Sequence, residues 1–216
     1  MTTRRRIICL TLSALLFSCS LLAPDVPQRL VRVKVLVDVP FRARNPNWNE
    51  EARGLIDAAS DYYEREFEIR IVTESVSAWP ATERIASTPM VLATLRKEFP
   101  VELRAHSYDL IVFFSGENTS RYLPAGRPRV DRIGDCRAGL SSYIVVPISN
   151  MVRHRSANDE PELDVIALIH ELGHVFGAEH VDDTRSIMHE SFGYRTEFDG
   201  MNRSIIQKNR ACPFAK

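Results

Sequence analysis

The chain has little of what marks a specialised surface. Its 28 Lys and Arg are balanced by 28 Asp and Glu, so 216 residues carry no formal net charge. That excludes a broad basic field for nucleic acid and an acidic field for basic partners, leaving only local patches. There is no internal repeat, no low-complexity segment, and no acidic loop with the regular spacing of a calcium site. The N-terminal apolar run, IICLTLSALLF, has eleven residues, where a membrane span needs about twenty. Cysteines number four and histidines six. Hydrophobic residues nevertheless reach 44%, enough for one domain with an ordinary core.

The N-terminus is set apart from that domain. Arg4-Arg5-Arg6, the apolar run and small residues at Ser18, Cys19 and Ser20 have the layout of a secretory signal peptide over residues 1–20. Leu16-Phe17-Ser18-Cys19 resembles a lipobox, which would make Cys19 the lipidated first mature residue. Lipid anchoring and free secretion both remain open, and export is expected either way. A short tether spans 21–29, and residues 30–216 form the domain. Cys136 and Cys212 are then the cysteines of the mature part. Their economical fate in an exported domain is one disulfide, the alternative being two buried thiols.

Periodicity supplies the elements. VRVKVLVDV (31–39) alternates as a strand buried on one face, and Trp48 to Phe67 carries apolar residues at helical spacing. A strand at 68–76 and a helix near Pro89 to Phe99 follow. YDLIVFFSG (108–116) reads as a strand buried on both faces, and SYIVVPIS (142–149) as another. Between them lies a loop with a short edge strand expected near Arg129 to Cys136. A helix is expected from Pro161, capped by Asn158 or Asp159, to Phe176, with Gly177 ending it. The class is α/β (α+β) around a twisted mixed sheet.

Three of the six histidines fall within HELGHVFGAEH, residues 170–180. His170 and His174 lie one turn apart on the same helix face. A chain turning back at Gly177 brings His180 to them. Three imidazoles suit a catalytic zinc with one open position. Glu171 is placed to serve as general base toward water activated there. By composition the pattern arises by chance in about one of 10⁵ chains of this length, so merely packed histidines are the weaker reading.

The segment resembles HExxHxxGxxH, the extended zinc signature of the metzincin metalloproteases. Ser186-Ile187-Met188 stands where metzincins place the methionine turn, so the resemblance implies Met188 as an apolar floor beneath the ligands. It also implies an active-site helix, a closing C-terminal helix near Gly200 to Arg210, and hydrolysis of peptide bonds by a monomer. A protein or peptide substrate would lie extended along an edge strand drawn from 129–142. Arg127, Arg129, Arg132 and Arg137 there either favour acidic substrate side chains or form a solvated, salt-bridged loop. The segment from His189 to Phe198 would line the specificity pocket. Glu190 stands where astacins and serralysins have a tyrosine, and Val181 follows the third histidine, so the nearest likeness is a bacterial matrixin- or adamalysin-like member. Two other functions remain to be separated from an endopeptidase: a catalytically silent zinc domain that binds peptide, and a metallohydrolase acting on other bonds.

Overall fold

The computed structural model describes residues 29–44, 46–79, 87–103, 107–116, 127–148, 163–191 and 193–215. The expected signal peptide, Cys19, residues 21–28 of the expected tether and the capping candidates Asn158 and Asp159 lie outside them, whereas Arg29 already belongs to the first strand.

Five strands form one sheet: β1 (Arg29–Val37), β2 (Ile69–Ala78), β3 (Leu110–Ser115), β4 (Arg129–Val130) and β5 (Tyr143–Pro147). Their order is β2-β1-β3-β5-β4. β1, β2, β3 and β5 pair in parallel, and β4 joins β5 antiparallel at the end of the sheet. The helices are α1 (Val39–Arg44), α2 (Trp48–Phe67), α3 (Thr88–Glu98), α4 (Leu163–Val175) and α5 (Gly200–Asn209).

Alternation along β3 explains the layers. Leu110, Val112 and Phe114 enter a core shared with α2 and α4. Ile111 and Phe113 face the other way, into a smaller core with Trp79, Leu92 and Leu95. A strand whose successive side chains all meet packed neighbours must be apolar throughout, and all six residues of β3 are buried. α2 has the bounds expected from its periodicity. It buries Leu55, Ile56, Ala59, Tyr63 and Phe67 along one side.

Two expectations need correction. The first strand ends at Val37 rather than residue 39, because Asp38 is a buried terminator. Its carboxylate accepts from the backbone N–H groups of Phe41 (2.7 Å) and Gly116 (2.9 Å) and from Ser115 Oγ (2.6 Å), which turns the chain into α1. The edge strand expected over 129–136 is two residues long. Asp131 ends it by turning its Oδ1 onto Ser141 Oγ (2.5 Å) and the N–H groups of Ser142 and Tyr143 (both 3.1 Å).

Cys136 and Cys212 are joined in a disulfide across 76 residues. It ties the loop after β4 to the segment after α5, where Leu140 N–H donates to Pro213 O at 2.8 Å and Ala215 N–H to Leu140 O at 3.1 Å. A cross-link over a loop of that size limits the unfolded chain. The Cys136→Ser/Cys212→Ser double variant should therefore lose about 2–4 kcal/mol of stability, read from the midpoint of urea unfolding.

Candidate metal centre

α4 is apolar almost all round, and every residue from Val165 to Val175 is buried. Within it His170, Glu171 and His174 are only 2%, 3% and 7% exposed. Burying such groups is costly unless each polar atom is satisfied. For the two histidines the outer nitrogen is accounted for. His170 Nδ1 lies 2.7 Å from Ile187 O and His174 Nδ1 2.7 Å from Ala178 O. A carbonyl only accepts, so both Nδ1 atoms carry the proton and both Nε2 atoms present lone pairs.

Those lone pairs converge on a third ring. His180 Nε2 is 3.1 Å from His170 Nε2 and 3.2 Å from His174 Nε2. At most one proton on His180 can serve two acceptors, so the group cannot satisfy itself. A cation resolves the conflict. Four-coordinate zinc with nitrogens about 2.0–2.1 Å away sets ligand atoms about 3.3 Å apart, close to the two separations observed. All three ligand atoms lie within 4.8 Å of one another. The residues fit a zinc-sized ion. Burial, then the neighbouring imidazole His174, pushes His170 down to about 3. Burial chiefly pushes His174 down to about 4, and it lowers His180 as well. Neutral imidazole is the form that ligates.

The third ligand lies beyond the helix, and the fold works hardest to place it. Gly177 has φ +95°. Its N–H donates to His174 O at 3.1 Å, and Ala178 N–H to Gly173 O at 2.9 Å, the bond pair of a Schellman turn. Gly134 N–H donates to His174 O at 2.9 Å, and Asn209 Nδ2 to Phe176 O at 2.9 Å. Asn202, fully buried on α5, then grips Glu179 in both directions. It accepts from Glu179 N–H and donates to Glu179 O, each at 2.9 Å. On the other side Val181 N–H donates to Met188 O at 3.2 Å. His180 is thus held from both flanks.

Met188 is fully buried. A Cβ on Gly173 would come within 2.8 Å of its sulfur and 3.0 Å of the Phe198 ring, so the helix approaches the methionine turn through a glycine. Ser186, Asp199 and Asn202 brace that turn: Ser186 Oγ donates to Asp199 Oδ2 at 2.8 Å, and Asn202 Nδ2 to the same oxygen at 2.8 Å. Motif reading missed Gly173 and Asn202. Gly173 falls at an unspecified position of the signature, and Asn202 sits twenty-two residues beyond His180, on another helix.

Glu171 lies beside His170 and under the sheet edge. Burial pushes its carboxyl up to about 8, against the pull of the Arg129 charge and a hydrogen bond from the Val130 N–H. Of the remaining arginines, Arg132 Nη2 is spent on the carbonyls of Ala138 (2.8 Å) and Gly139 (3.1 Å), and Arg127 pairs with Glu190 at 2.8 Å. His189 Nδ1 accepts from Ser191 N–H at 3.1 Å and stands outside the triad. Cys136 and Cys212 are spent on their disulfide.

The family model described as Metallo-peptidase family M12 matches residues 27–215. Among solved structures, the archaemetzincin from Methanopyrus kandleri is similar, with a TM-score of 0.56 and 19% identity over 85% of this chain and 98% of that one. That likeness is one of fold.

Asn202→Ala should strand both backbone groups of Glu179. The cost is about 1–3 kcal/mol for the part-buried hydrogen bonds lost together, with metal affinity about 10–100-fold weaker through misplaced His180. Chemical unfolding with and without metal, beside a chelator competition, measures both.

Proposed function

The chain belongs to metallopeptidase family M12, a peptidase of the metzincin type, and from that premise we propose that it is a zinc endopeptidase with Glu171 as its general base. The observation that carries this reading is the buried carboxylate placed one residue from the first of three converging Nε2 lone pairs. His170, His174 and His180 hold the ion. When bound, zinc supplies a Lewis acid that polarises the scissile carbonyl, brings the pKa of water to about 7, and by its charge draws Glu171 toward its carboxylate form.

The rest falls to the chain's own residues. Glu171 takes a proton from the attacking water at its carboxylate and hands it to the departing amine nitrogen. Arg129 and the Val130 N–H favour its charged state against burial. Ile187 O and Ala178 O keep the ligand rings turned inward and fix their tautomers. A peptide laid extended along the free side of β4 would present backbone groups to that strand and alternate side chains to either wall. Among the described residues β4 is the terminal strand of the sheet, so no described strand takes this side. Export through residues 1–20, with or without a lipid on Cys19, would deliver a monomer to substrates outside the producing cell.

Glu171→Gln should retain stoichiometric zinc and lose about 10²–10⁴-fold in kcat on a peptide library. His174→Ala should lose the metal itself. Full cleavage by Glu171→Gln would remove the carboxylate from the reaction. Peptide binding with no cleavage by the zinc-loaded parent would leave a silent binding domain.

A further inference from the structure

One ion pair serves neither the packing of the domain nor the chemistry above. Arg127 Nη1 meets Glu190 Oε1 at 2.8 Å, and the two residues come from different segments, one leading into the sheet edge and one following the methionine turn. Arg127 stands two residues before β4, its carbonyl accepting from Thr88 Oγ1 on α3 at 2.9 Å. Glu190 stands two residues after Met188, on a loop that Arg195 stitches through the carbonyls of Thr184 and Ser191. Each end therefore has its own anchor, one on the sheet side and one on the methionine-turn side. Both charges act on His180, which places the pair beside the exposed flank of the triad. A peptide aligned on β4 with its carbonyl at the metal would pass close to this pair, which bridges the sheet-edge segment and the methionine-turn loop beside His180.

We infer that Arg127 and Glu190 form a strap across the cleft, which a substrate displaces on binding and which sets the cleft's selectivity for charge. This rests on the peptidase reading. The side chains are 35% and 67% exposed, so solvent screens the pair and its hold is weak, about two- to five-fold in an equilibrium constant. A strap of that strength delays an uncharged peptide without barring it. A substrate offering an acidic group to Arg127 and a basic one to Glu190 regains what it breaks.

The test uses the full, zinc-loaded chain carrying Glu171→Gln, alone and with Arg127→Gln, Glu190→Gln or both. Fluorescence anisotropy follows a labelled peptide with blocked ends and no charged side chain. Each single change should tighten Kd about two- to five-fold, and the double change no further, because either one opens the same strap. Raising salt from about 20 mM to about 300 mM should tighten binding to the parent and leave the double variant unmoved. Weaker binding in the singles, additive gains, no change, or no binding in any variant would each overturn the strap. Failure of the peptidase reading shows elsewhere: the chain with Glu171 intact then cleaves no peptide, whatever the Kd series gives.

Discussion

Three imidazole nitrogens with at most one proton to share among them are brought together at the end of an apolar helix, and the remaining architecture answers that conflict. His170 and His174 have their outer nitrogens committed to the carbonyls of Ile187 and Ala178 at 2.7 Å each. Their inner nitrogens then have no good partner but a cation. Without one, buried lone pairs face each other across about a hydrogen-bond distance, which costs desolvation with nothing returned. The surroundings must be stiff enough to hold that arrangement before metal arrives. Tyr63 on α2 helps, donating to Ile169 O at 3.0 Å and packing its ring against Phe67, Phe176 and Phe198.

The sheet edge joins binding to chemistry. Val130, half of the two-residue β4, offers its N–H to Glu171, and Arg129 adds its charge. The strand expected to align a peptide is thus the element that tunes the carboxylate beneath it. Asp131 fixes the strand's end, and Arg96 on α3 donates to Asp131 O at 2.8 Å.

Much of this was legible in the chain because period and burial go together. The helix at Trp48–Phe67 and the doubly buried β3 follow from spacing alone. The ligands followed from the density of histidine and from Gly177, whose φ of +95° a side chain would rarely tolerate. What stayed hidden depends on contacts between distant segments. Asp38 ends β1 through partners at Ser115 and Gly116, and no local pattern announces that. Asn202 looks like any polar residue of a surface helix until Glu179 is found against it. Arg127 reads as part of an arginine-rich loop and Glu190 as the residue in place of a turn tyrosine, and nothing in the sequence joins them across the 63 residues that part them.

The three ligands differ in how their positions are secured, and that difference bears on how metal and fold depend on each other. His170 and His174 are set by helical periodicity once α4 is buried, so their relative placement needs no further device. His180 has left the helix and is the exposed member of the triad. Its place rests on the Schellman turn, the paired bonds of Asn202 and the strand contact at Val181, each spent on backbone rather than on the ring. Metal bound by such a site stabilises the folded arrangement that gathers its ligands. The arm from Gly177 to Val181, together with the methionine turn it touches, is therefore the part of the fold that brings the third ligand to the ion. α5, although it supplies no ligand, belongs to the metal centre for the same reason: through Asn202 it holds the arm in the place the ion requires.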